Sequence, residues 1–223
     1  MCLIVVGWQA HKDYPLIVAA NRDEFHARPA APAAFWRDQP GILAGRDLEA
    51  MGTWMGVSRS GRFAAVTNYR GAREPSAEES RGALVSRFLA GNTGAPAYMA
   101  ELAGRAQRYS GFNLLACDRE ELWWMSNRDG APRRLDAGYH ALGNLLLDSP
   151  DVQPIKQRIA QTPPAVEPLF SALSAAKILN AEYGTRCSTV LLDGGKEARY
   201  AERSFAPDGA DGETVHFLFS TKH

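Results

Sequence analysis

The second residue of the chain is a cysteine. Removal of Met1 is usual before a small second residue and leaves Cys2 with a free α-amine. That amine has a reference pKa of about 7.7–8.0 and sits on the carbon that bears the thiol side chain. Nucleophile and general base then share one residue, the N-terminal form of an activated nucleophile. Position alone is a weak signal, because a cysteine beside a strand is otherwise an ordinary small apolar residue. Cys117 and Cys187 are the other two cysteines, widely spaced and in no C-x-x-C pair, so neither a disulfide framework nor a zinc site is suggested.

Further polar residues stand where chemistry needs them. In Asn21-Arg22-Asp23-Glu24, Arg22 is suited to lowering a thiol pKa, and Asp23 to orienting an α-amine. Asn68 ends the apolar run Phe63–Thr67, where a side-chain amide can donate to a developing oxyanion, a contact worth ~3 kcal/mol of barrier. Asn144, in Gly143-Asn144-Leu145, is a second donor of the same kind; turn formation is the ordinary use of both. Arg186 follows Gly184, whose expected tight turn aims it inward, where a buried arginine needs an anionic partner. Walker, G-x-G-x-x-G, G-x-S-x-G and H-E-x-x-H motifs are absent, and the five histidines show no metal-ligand spacing.

These residues need elements to position them. Leu3–Trp8 predicts a strand, residues 11–15 a turn, and Leu16–Ala20 the return strand of a hairpin. The end of the second strand then lies beside the start of the first, which brings the tetrad near Cys2. Both runs are almost continuously apolar, as in strands covered on both faces. Residues 21–40 are expected to cross the surface irregularly. Short strands follow at 41–44, 53–57 and 63–67. Ser80 is the expected cap of a helix over Arg81–Ala90, and Pro96 opens another that runs to Arg108. Strands are expected at 112–117, 121–125, 133–135 and 139–142, then helices at 152–161 and 166–179. The chain closes with strands at 188–193, 199–204 and 214–219. Blocks of strands and helices in this order predict an α+β fold with antiparallel sheets. No repeat or linker divides residues 1–223, which read as one domain.

Composition excludes several classes. The 223 residues carry 25 Lys+Arg against 25 Asp+Glu, so the chain has no bulk electrostatic reason to bind nucleic acid. No apolar run approaches the ~20 residues that span a bilayer. The start lacks the basic n-region of a signal peptide, so the expected location is cytoplasmic.

Met1-Cys2-Leu3, Asn21-Arg22-Asp23-Glu24, Gly52-Thr53-Trp54, Thr67-Asn68-Tyr69-Arg70, Ser80-Arg81-Gly82, Gly111-Phe112-Asn113-Leu114 and Tyr183-Gly184-Thr185-Arg186 occur in this order. Together they resemble the NRDE protein family, also called the transport-and-Golgi-organisation family, over nearly the whole chain. That family in turn resembles the N-terminal-nucleophile hydrolases of the bile-salt-hydrolase and penicillin-V-acylase branch. The resemblance implies a four-layer αββα sandwich. It assigns Cys2 as nucleophile, Asp23 as the amine-orienting aspartate, Asn68 as the oxyanion-hole asparagine, Asn144 as the asparagine near the amine and Arg186 as the late site arginine. Asn21, Arg22, Trp54 and Arg70 are the expected substrate contacts. One position departs: the hydrolase branch places an arginine where this chain has Ala20, and Arg22 stands two residues later.

Two functions follow. The first is hydrolysis of an amide or related acyl bond of a small molecule by Cys2, with no cofactor required. The second is non-catalytic carriage of haem or of acyl-CoA and lipid, with Cys2 or His26 on haem iron and arginines on propionates or phosphates. Either way the expected partner is a small molecule.

Overall fold

The computed structural model describes residues 2–71 and 78–221. Strands β1 (Leu3–Trp8) and β2 (Leu16–Phe25) pair antiparallel, with Leu3 opposite Asn21 and Trp8 opposite Leu16. Side chains alternate along a strand. Ile4, Val6, Trp8, Leu16, Val18 and Ala20 therefore enter one buried cluster, and Leu3, Val5, Ile17 and Ala19 another. This is why both runs read as continuously apolar: each face has its own cover.

The first sheet runs β10 (Gly138–Leu142), β1, β2, β11 (Tyr183–Asp193), β12 (Glu197–Phe205) and β13 (Asp211–Ser220). The second runs β3 (Ala30–Phe35), β4 (Ile42–Asp47), β5 (Met55–Ser58), β6 (Phe63–Asn68), β7 (Phe112–Cys117), β8 (Leu122–Ser126) and β9 (Arg133–Leu135). Every pairing is antiparallel. Val18, Leu115, Trp124 and Tyr200 meet in the core between the sheets. Helices α1 (Gly82–Ala90) and α2 (Ala95–Ala103) bury Leu84, Phe88, Met99 and Leu102 on the second sheet. Helices α3 (Gln153–Gln161) and α4 (Val166–Ser174) bury Ile159, Leu169 and Leu173 on the first. The result is the expected αββα sandwich of class α+β. Adjacent Trp123 and Trp124 point to opposite faces, Trp124 into the inter-sheet core and Trp123 against the helix-side cluster.

Several elements differ from the sequence reading. Residues 21–40 are not one irregular crossing. β2 continues through the tetrad to Phe25, because the long strand β11 pairs with it as far as Tyr183. β3 follows at a sheet edge, where Pro32 costs no ladder bond and a register shift between Ala31 and Ala34 absorbs the irregularity. β11 starts at Tyr183, five residues early, with an irregularity between Thr185 and Cys187. The second helix stops at Ala103, before Gly104, and a short 3-10 turn covers residues 106–108. Helix α4 ends at Ser174. Arg81, not Ser80, occupies the N-cap of α1, and the Ser80 hydroxyl accepts from the Gly82 amide at 3.3 Å.

The segment that follows β10 is fastened by Asp148. Its Oδ1 accepts from the Ala141 amide at 2.9 Å and from Lys156 Nζ at 2.8 Å, and Oδ2 lies 3.2 Å from His140 Nδ1. Burial opposes the charge, but these partners hold the Asp148 carboxyl at about 2. A depressed carboxylate stabilises above its ordinary pKa, and that stabilisation is lost as pH falls through the folded value. Asp148→Asn is therefore expected to cost about 2 kcal/mol at pH 7 in urea unfolding, and the difference should shrink between about pH 4 and pH 2.

Candidate active site

One end of the sandwich gathers the start of β1, the end of β2, the start of β11, the entry to β5 and the end of β6. Extending the β1–β2 register by one residue sets Cys2 opposite Arg22, and Arg22 is opposite Cys187 on β11. Cys2, Arg22 and Cys187 thus occupy one rung across three strands, on the face that carries Ile4, Ala20 and Thr189. Asn21 and Asp23 alternate to the helix side.

Cys2 is half-buried, and its thiol donates to the backbone carbonyl of Asp23 at 3.4 Å. The same carbonyl accepts from the Tyr183 hydroxyl at 3.1 Å. The Asp23 carboxylate is buried, and its Oδ1 accepts from Thr185 Oγ1 at 2.6 Å. Burial pushes the Asp23 carboxyl up against the opposing Thr185 bond. Burial also pushes the Cys2 thiol up, aided by the Asp23 charge and opposed by Arg22. A thiol held this way does not ionise unaided at neutral pH, so it needs a base to become a nucleophile.

Arg22 is only 6% exposed, and its guanidinium lies 4.0 Å from the centre of the Trp54 ring. It makes no ion pair or hydrogen bond among the described residues. Cation and indole close a cavity of about 10 Å³ lined by Cys2, Ala20, Met55 and Thr189, room for one water molecule. Trp54 fits because β4 has Gly45 beneath it: a Cβ there would collide with the indole. Gly45→Val is expected to displace Trp54 from Arg22, destabilise the protein by about 1–3 kcal/mol through overpacking, and speed alkylation of Cys2 by iodoacetamide. Gly41→Val, with open space at its Cβ, is the control and should change neither unfolding nor alkylation.

The other expected site residues are placed differently. Asn21 is buried as a structural clamp: Nδ2 donates to the Leu173 carbonyl of α4 at 3.2 Å, and Oδ1 accepts from Ser188 at 2.6 Å. Arg186 donates Nη1 to the carbonyls of Phe25, His26 and Arg28 at 2.9, 3.2 and 3.2 Å, tying down the β2–β3 connection. Both placements follow from pairing, since alternation turns Asn21 toward α4 and the β11 irregularity falls at Arg186. Asn68 and Asn144 do come together, through Asn144 Nδ2 and the Asn68 backbone carbonyl at 2.6 Å. The Arg70 amide donates to the Asn144 carbonyl at 2.6 Å, while the Arg70 side chain is exposed. Asn144 thus bridges the two sheets at this end instead of contacting Cys2. Asn68 is exposed, and its carboxamide makes no hydrogen bond among the described residues.

The structure adds residues to which the sequence reading gave no role. Thr185 and Tyr183 hold Asp23. Arg81, half-buried at the head of α1, donates Nη1 to the Gly111 carbonyl at 3.2 Å. Burial lowers its pKa, with Glu24 and Cys2 among the neighbouring charges that oppose the fall. The Ser80-Arg81-Gly82 motif was the signal for it. Among the described residues, no group of three or more His, Cys, Asp or Glu could hold a metal ion, and no helix is long and apolar enough to cross a membrane.

The same sandwich is found in solved structures. A Caenorhabditis elegans ortholog of N-acylethanolamine-hydrolyzing acid amidase superposes with a TM-score of 0.52, covering 87% of this chain and 93% of that one at 11% identity. The C2A mutant of conjugated bile acid hydrolase from Clostridium perfringens gives 0.55, covering 100% and 97% at 7% identity. What is shared is two antiparallel sheets between helix layers, the αββα class of fold. At these identities the likeness is one of architecture. Sequence gives the family: the model for Transport and Golgi organisation 2 matches residues 1–165. The mouse Transport and Golgi organization 2 homolog is 32% identical over 256 aligned positions, 92% of this chain and 93% of its own length. The human homolog matches at the same identity and coverage. The chain belongs to the Transport and Golgi organisation 2 family.

Proposed function

We propose that the protein is a cysteine N-terminal-nucleophile hydrolase of an amide or related acyl bond in a small molecule. The observation that carries this is the join between Cys2 and Asp23: the thiol rests on the Asp23 carbonyl at 3.4 Å, beside a buried carboxylate fixed by Thr185 at 2.6 Å. Met1 removal frees the Cys2 amine within one residue of Asp23 on the neighbouring strand, where the carboxylate orients it. As Sγ attacks the substrate carbonyl, the amine takes the thiol proton. Collapse of the tetrahedral adduct breaks the bond to the leaving group, which receives that proton from the ammonium. Water then attacks the thioester with the amine again as base, releasing the acid and restoring the thiol. Asn68, with its carboxamide uncommitted and its backbone fastened by Asn144, is the side-chain donor to the oxyanion. Arg22 and Trp54 form the adjoining wall for the substrate. The names of the two fold neighbours, an acid amidase and a conjugated bile acid hydrolase, support the same reaction class.

The alternative, non-catalytic carriage of haem or of acyl-CoA and lipid, has less support than hydrolysis: His26 Nε2, its other candidate iron ligand, lies 3.0 Å from the Asn180 carbonyl. A series of N-acyl coumarin amides of increasing acyl length tests the hydrolase. A burst of coumarin matching the protein concentration, followed by steady release, is expected. No release from any member, with no acyl adduct, would contradict the reading.

A further inference from the structure

The end of the sandwich away from Cys2 holds a second cavity. It measures about 430 Å³ and lies where the β1–β2, β5–β6, β7–β8 and β11–β12 turns converge. That volume is within the range of small-molecule sites, roughly 300–1,000 Å³. Its apolar wall is the last rung of the inter-sheet core, with Trp8 opposite Leu16 and Cys117 beyond them.

The polar groups around it are unevenly satisfied. Asp193 is 5% exposed. Its Oδ1 accepts from the Gly195 amide at 2.7 Å, while Oδ2 has no hydrogen bond and the carboxylate has no ion pair among the described residues. Burying a carboxylate without an ion pair is costly, so such a group is a demand for a cation. Arg119 favours the ionised form through its nearby charge but meets that demand only in part, since among the described residues it gives Asp193 no hydrogen bond or ion pair. Its Nη2 is spent on the Gly195 carbonyl, and its Nη1 is sealed from solvent without a hydrogen bond. Nη1 packs on Gly61, which has φ +76° and where any Cβ would collide with it. Arg119 itself has φ 83°, a left-handed conformation that a non-glycine residue adopts only at a cost. The Arg119 guanidinium therefore lines the cavity but is held in place there, with Nη2 on Gly195 and Nη1 against Gly61. Asp118 and Glu120 also line the cavity, but the Asp118 carboxylate is spent on the Ala95, Glu120 and Glu121 amides, which leaves Asp193 as the buried acceptor with a free oxygen among the described residues.

We infer that this cleft binds an organic ammonium: an amine head on Asp193 Oδ2, with an apolar or aromatic body against Trp8 and Leu16. The site is separate from Cys2 and does not depend on its chemistry. The test is NMR titration of the full chain with 2-phenylethylammonium, 2-phenylethanol and phenylacetate, following the Trp8 indole N–H. The ammonium should shift this resonance and bind at least 10-fold more tightly than the alcohol or the acid. Asp193→Asn should remove that preference. No shift at Trp8, equal affinity for ammonium and alcohol, tighter binding of phenylacetate, or a preference that survives in Asp193→Asn would overturn the assignment. The three-ligand comparison uses the wild-type chain and so does not depend on how the variant folds.

Discussion

Cys2→Ala is expected to abolish acylation, lowering turnover of any amide substrate at least ~10³-fold, because the nucleophile and its attached base act as a unit. The same change should barely affect the fold. Cys2 is half-buried at the mouth of the sheet, and its thiol makes one weak bond, to the Asp23 carbonyl at 3.4 Å. A loss of at most about 1 kcal/mol in urea unfolding is expected. Catalysis measured beside unfolding thus separates a chemical role from a packing one. If Cys2→Ala turns over as well as the wild type, another group is doing the chemistry.

Asp23→Asn should have an effect nearly as large on activity and the opposite sign on stability. The amide keeps the shape and still accepts from Thr185, which now donates at 2.6 Å. The backbone carbonyl that receives Cys2 and Tyr183 is unchanged. What is lost is the negative charge that orients the amine, so acylation should fall about 10²- to 10³-fold. Burial raises the Asp23 carboxyl above its ordinary value. For a carboxyl raised on folding, the native state binds its proton more tightly, and stability from that group falls as pH rises through the folded value. Above that value the wild type carries a buried charge that the variant lacks. Asp23→Asn is therefore expected to be at least as stable as wild type at pH 7, while being far less active. Equilibrium unfolding and acylation rates on one preparation check both halves.

Much of the fold was legible because it rests on local pattern. The continuous apolar runs of β1 and β2 reported strands covered on both faces, and Cys2 fell near Asp23 by hairpin geometry alone. What failed depended on long-range pairing. The tetrad is polar and so reads as a turn, yet it is strand, because β11 supplies its backbone partners. Alternation then sends Arg22 between the sheets and Asn21 toward α4, two fates that tetrad composition does not distinguish. The β11 irregularity between Thr185 and Cys187 is invisible in Tyr183–Thr189, and it aims Arg186 at three carbonyls of the β2–β3 connection. Asn144, expected near the amine, donates to the Asn68 backbone carbonyl and so bridges the sheets, a contact that depends on how the two sheets stack. Arg81 was visible as part of a motif and gained a place only when α1 docked beside the end of β6.

The central claim is that the working protein begins at Cys2 and that this residue carries the acyl group. The direct measurement is the intact mass of the purified full chain before and after incubation with a β-lactam amide, with peptide mapping of any adduct. The expected result is a chain shorter by Met1, which then gains one acyl group on Cys2 and loses it to hydroxylamine. A chain that retains Met1 and takes up no acyl group, or one that is modified only at Cys117 or Cys187, would contradict it.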